Sequence, residues 1–224
     1  MHRMQSKGFL ADSPFSYKML NMDIVSIYSS IWEHFDGTLF LLAAALFFSG
    51  VFFAPIAVER EMRPLLWYPL WIWRVIKRYV DPEAPFLRLW ALIFSLNSLS
   101  LLCNLVSGLF IVLPPLFSFL LGAHIAIICL KEMGKVRLFP LIVNPVSVFE
   151  LPAAWISLSL GMSLARGLYL KGYGNVFSLF QWELMGYLFL VLPLLAVAGF
   201  IEVSLIKALG KGPMAGSGFG EENV

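Results

Sequence analysis

The side chains best suited to chemistry in this chain are a few ionisable groups set in apolar sequence. Glu150 stands in the stretch Asn144–Trp155, NPVSVFELPAAW, between two prolines and just ahead of a long apolar run. Glu202 lies in LLAVAGFIEVSLI and His124 in LLGAHIAII. An acid near the centre of a bilayer costs on the order of 2.5–3.5 kcal/mol on insertion scales, so such a group faces protein or water. Acids placed like this bind ions or substrates, or they accept hydrogen bonds from neighbouring helices. Asn104 and Ser157 are the donors within reach of that second role.

Other chemistry finds less support. Ser163 and His124 superficially suggest a nucleophile and its base, which must approach within about 3 Å. The topology below puts them in opposite leaflets, so no catalytic residue is expected. A Glu/Glu/His metal site lacks close sequence spacing, and neither metal nor cofactor is expected.

The composition dictates what must position these groups. Of 224 residues, 59% are hydrophobic and 13% charged, against about 25% charged in soluble domains. Mean hydropathy is +0.82. The sequence therefore predicts an all-α polytopic membrane protein, with no basic cluster of the kind that binds nucleic acid. Its partners are the lipid bilayer and other membrane proteins. Cys103 and Cys129 are expected to be free thiols, because neighbouring antiparallel spans hold them far apart in depth.

Five spans are expected. Residues 1–36 read as an N-terminal interfacial segment, with Tyr17, Leu20, Ile24, Ile27 and Ile31 at helical spacing. Residues 37–206 form one transmembrane domain, opened by the uncharged run Gly37–Val58. The loop 59–88 mixes basic residues with Trp and Tyr, as headgroup regions do. In it Arg74, Lys77 and Arg78 share one helical face, so residues 70–80 are expected at the interface. The 42 uncharged residues 89–130 hold two spans, with the turn near either Gly108 or Pro114-Pro115. Asn97, Ser100, Asn104 and Ser107 make one polar stripe in the first of them.

Asn144 suits an N-cap, Pro145 a first helical turn, and Pro152 an interruption, which together predict a broken or half helix before the fourth span. That span, about 151–168, carries Ala153, Ser157, Gly161 and Ala165 at every fourth position. Such spacing lets two backbones approach closely and is compatible with a homodimer. Residues 169–183 read as a loop, Leu184–Ile206 as the last span, and 207–224 as a flexible tail.

Charge sets the orientation. With loop 59–88, loop 131–137 and the C-terminus in the cytoplasm, eleven of the sixteen Lys and Arg lie inside, as the positive-inside rule requires. The N-terminus is then outside and the C-terminus cytoplasmic, in a plasma membrane. Glu150, Glu202 and His124 fall within roughly 10 Å of one another in depth. Arg166 lies about 24 Å from Glu150 along a helix, at the opposite surface.

NPVSVFELPAAWISLSLGMSLARG and LLAVAGFIEVSLI resemble the stage II sporulation protein M family of integral membrane proteins over about residues 88–206. Pro145, Glu150 and Ala153 match its Pro-His-Gly-x-x-Glu-x-x-Ala pattern, and Phe200-Ile201-Glu202 its last span. The family's His-Gly is Val146-Ser147 here, which leaves no imidazole for any role that needs one. The resemblance implies a membrane protein that, in spore formers, works with peptidoglycan-degrading partners. Two functions follow as expectations. One is a non-enzymatic scaffold holding partners through its bundle. The alternative is a transporter or exporter subunit with a carboxylate site at Glu150 and Glu202.

Overall fold

The computed structural model describes residues 23–79, 81–133 and 144–210, except the side chains of 76, 77, 132, 133, 209 and 210. Eight α-helices follow in order: α1 Ile24–His34, α2 Gly37–Glu59, α3 Arg63–Tyr79, α4 Phe86–Val106, α5 Leu113–Ile128, α6 Ser147–Lys171, α7 Val176–Gly186 and α8 Leu192–Gly210. Five helical runs are long and apolar enough to cross a membrane: Gly37–Glu59, Phe86–Leu109, Leu113–Lys131, Ser147–Lys171 and Tyr173–Ala208. The chain is thus an all-α polytopic protein.

Local chemistry explains where the helices begin and end. The Asp36 carboxylate accepts from the backbone N–H of Thr38 and Leu39, capping α2. At its other end Glu61 adopts a positive φ of 47°. Glu61 N–H donates to Val58 O and Met62 N–H to Ala57 O, a Schellman closure with glutamate where glycine is usual. The chain then turns directly into α3. Between α4 and α5 the turn uses both sequence signals: a 3₁₀ turn Ser107–Leu109 precedes a helix with proline in its first positions.

Two expectations are corrected here. No break occurs at Pro152, and α6 runs unbroken through it for 25 residues. Pro152 lies within the first two turns, where its missing N–H removes one hydrogen bond, from Val148 O, and the helix tolerates the loss. Asn144 does cap this helix start, its Oδ1 accepting from Ser147 N–H at 2.8 Å, with Pro145 in the turn that follows. The expected loop 169–183 is also mostly helical. Gly172, at φ 76°, ends α6, and α7 starts at Val176. The last run then spans 36 residues, well beyond the roughly 20 needed to cross. Its irregularity is a π-turn, Tyr187–Val191, just ahead of Pro193. Pro193 cannot donate to Phe189 O, and that carbonyl instead accepts from the Tyr28 hydroxyl of α1 at 3.2 Å.

The remaining expectations about the flanks divide. On α1, Ile31 is buried while Ile24 is 64% exposed. Tyr17 and Leu20 lie outside the described residues. The stretch expected at the interface is helical: α3 begins two turns earlier than residue 70, with Trp67 and Trp71 stacked and exposed and Arg74 and Arg78 exposed beside them. The Lys77 side chain is outside the described residues. Cys103 and Cys129 are free, Cys103 exposed and Cys129 buried.

Packing in the bundle is closest where side chains are smallest. A methyl group on Gly50 would strike Phe119 O of α5, and one on Gly122 would strike Phe47 O of α2. These two helices therefore touch backbone to backbone, and buried Ser118 donates to Ala43 O across the same contact at 2.7 Å. Trp155 of α6 closes the other side of α2 against Phe40, Phe47 and Phe48. Helices α4 and α6 run parallel, since Asn97, Leu101 and Gly108 meet Glu150, Ser157 and Gly161 in the same order.

Candidate functional site: two acidic nodes on one helix seam

Glu150 is positioned by the contact of α4 with α6. Ala153, Ser157 and Ala165 are 0%, 0% and 3% exposed, and Gly161 sits against Asn104 O. This face is filled from within the chain. With the two backbones this close, Asn97 Nδ2 reaches Glu150 Oε1 at 2.8 Å. One turn further, Ser157 Oγ donates to Leu101 O at 2.5 Å. Glu202 of α8 comes within electrostatic range of Glu150.

The cluster expected from the sequence is therefore partly assembled. Glu150, Asn97 and Glu202 come together. His124 does not join them among the described contacts; its ring packs on Tyr68 of α3, centroids 5.2 Å apart. Its place on α5 turns it toward α3. Asn104 contributes its backbone carbonyl, which accepts from Ser107 Oγ and faces Gly161. Ser100 of the expected stripe is exposed, so the polar seam is made differently. Hydroxyls of α6 and the last span donate to α4 carbonyls: Ser157 to Leu101 O, and Tyr187 to Ser98 O at 2.5 Å.

A second node lies toward the far end of α6, and sequence reasoning missed it. Glu183 of α7 is 8% exposed. Ser163, Arg166 and His34 lie around its carboxyl. Arg166 also bonds Asp36 at 2.7 Å. This guanidinium holds the Asp36 carboxyl below its ordinary range, against a smaller upward push from burial, and the α2 backbone donors add to the effect. His34 packs edge-on to Trp182 at 4.7 Å. A cavity of about 10 Å³, lined by His34, Leu160, Glu183 and Gly186 among others, has room for a single water.

Among the described residues, no group of three or more His, Cys, Asp or Glu is arranged to hold a metal ion. What these nodes can do is accept, hold and release protons, and fix helices by hydrogen bonds in low dielectric.

The family model of stage II sporulation protein M matches residues 39–205. The match takes in α2 and α3 as well as the later spans, and so reaches further than the 88–206 resemblance. No curated protein and no solved structure matches the chain. With residues 39–205 covered by that model and five helical runs long and apolar enough to cross a membrane, the chain belongs to the stage II sporulation protein M family.

Proposed function

We propose that this protein is a non-enzymatic scaffold of the plasma membrane, whose bundle holds partner membrane proteins, peptidoglycan-degrading ones in spore formers. One observation supports this reading above others: the interior is closed by backbone contact. Gly50 and Gly122 join α2 to α5, and Gly108 and Gly161 join α4 to α6, with no room for one methyl group at any of the four. Interfaces packed to that density resist parting, because their neighbours move only as rigid elements. A body of this kind acts through its outer surface. The N-terminus lies outside and the C-terminus in the cytoplasm, as the distribution of Lys and Arg requires.

Extraction in mild detergent, followed by mass spectrometry of what co-purifies, tests the scaffold. Stoichiometric membrane companions are expected. Recovery of the chain with lipid alone would overturn the proposal. A second reading, a transporter or exporter subunit, is favoured by the approach of Glu202 to Glu150. If Glu150→Gln abolishes an ion-dependent uptake in vesicles, that reading replaces the first.

A further inference from the structure

The two acidic nodes sit at different depths on the same pair of helices. Glu150 and Ser163 are separated by about 20 Å along α6, and Glu202 and Glu183 face them from the last helical run. Between these nodes the seam is polar, although it lies inside the bundle. Tyr187 is 3% exposed and one turn from Glu183, on the same face. Its hydroxyl donates to Ser98 O at 2.5 Å. Ser98 Oγ stands beside the same hydroxyl, buried and without an aligned hydrogen bond of its own. Ser98 adjoins Asn97, whose amide holds Glu150.

A packed structural seam has no need of this arrangement. A buried hydroxyl without an aligned hydrogen bond costs about 1–3 kcal/mol, and Glu183, 8% exposed, adds a desolvation cost of its own. A chain of groups that can each take and give a proton makes use of both. The geometry points to a proton relay through the bundle, running from Glu183 through Tyr187 and Ser98 to Glu150 and Glu202.

The closed interior is compatible with this function, since a proton hop needs hydrogen-bonding groups and single waters and no pore. The proton enters on the Glu183 carboxylate, where the one-water cavity lies. It passes to the Tyr187 oxygen as that hydroxyl releases its own proton toward Ser98 Oγ. From Ser98 a second bridging water carries one to the Glu150 carboxylate, which Asn97 at the adjoining position holds, with Glu202 as the neighbouring acceptor. The one-turn step from Glu183 to Tyr187 takes a bridging water or a side-chain rotation. Hydroxyl rotation afterwards restores the starting arrangement. No bond to carbon changes and nothing is oxidised. Near Glu183 the charged and titratable groups are Arg166 and His34, with Asp36 beyond Arg166; at Glu150 the facing group is Glu202.

Purified full-length protein in liposomes carrying an internal pH dye, with a potassium diffusion potential set by valinomycin, gives the test. The wild type is expected to acidify or alkalinise the lumen, according to the sign of the potential, at least tenfold faster than protein-free vesicles. Glu183→Gln and Tyr187→Phe, both close to isosteric, are each expected to cut that rate at least tenfold while eluting monodisperse. Ser204→Ala, whose hydroxyl caps its own helix on an exposed face, is expected to conduct as the wild type does. A wild type no faster than empty vesicles overturns the relay, as does full conduction by folded Tyr187→Phe. Neither result bears on the scaffold, which is read from companions in detergent.

Discussion

Gly161→Ala tests the seam on which the site depends. A Cβ at this position would lie 2.7 Å from Asn104 O, where ordinary contact begins at 3.4 Å. The obstacle is backbone inside a helix, so α4 as a whole must retreat by about 0.7 Å. A rigid shift of that size would stretch the 2.5 Å bond of Ser157 to Leu101 and the 2.8 Å bond of Asn97 to Glu150 to the limit of hydrogen bonding. Overpacking costs about 1–3 kcal/mol, and each interhelical bond in a membrane adds about 0.6 kcal/mol. Alanine returns up to about 1 kcal/mol through helix propensity. The net loss is about 1–3 kcal/mol, equivalent to a melting point lower by about 2–12 °C at this chain length. Buried Cys129 provides the assay, through a fluorogenic maleimide in detergent on a Cys103→Ala background. Gly199→Ala is the comparison: its Cβ would meet the Trp90 ring at 3.5 Å and Ile93 Cγ2 at 3.9 Å, both ordinary contacts, so it should melt at or above the wild type. Equal melting of Gly161→Ala and Gly199→Ala would refute the close approach of α4 and α6.

Other expectations follow from the same contacts. Gly122→Ala, which would strike Phe47 O, should destabilise by at least as much as Gly161→Ala, read by the same melting assay. Glu61→Gly removes the only positive φ outside glycine among the described residues and should stabilise by about 1 kcal/mol; a lower melting point would mean that the Glu61 side chain makes a contact of its own. The Asp36–Arg166 pair should show its sign in acid. Because the folded carboxyl titrates below its ordinary 3.8, the pair's contribution is full above that pH and is lost as pH falls through the lower folded value. The stability gap between wild type and Asp36→Asn should therefore narrow below pH 3.8. It should also shrink with salt, since the Arg166 side chain is 53% exposed.

The sequence was most legible where apolar length and small-residue spacing carried the signal. The run Gly37–Val58 became α2, and Ala153, Ser157, Gly161 and Ala165 are all buried, with Ser157 and Gly161 directly against α4. Asn144 caps the helix it was expected to begin. The sequence misled where punctuation was taken as interruption. Pro152 is absorbed because it falls in the first turns of α6. Gly172 and Gly174 suggested a long loop, although VFSLFQWELMG is apolar enough to continue the last span; that reading hid Glu183. The Ser118, Gly122, Ala126 repeat carried the same four-residue signal as the one on α6 and could have located the α2–α5 contact. The acceptors at Ser98, Leu101 and Ala43 were beyond reach, because they are backbone carbonyls and any residue supplies one.

The central claim is that Glu150 is held inside the protein by Asn97. A double-mutant cycle of Asn97→Leu and Glu150→Leu, read as unfolding free energy in detergent or bicelles, measures that bond against its removal. The account predicts a coupling of about 0.6–1.7 kcal/mol, the range of interhelical hydrogen bonds in membranes. Strictly additive losses would contradict it, because the two side chains would then act independently and the carboxylate would have to be accommodated elsewhere.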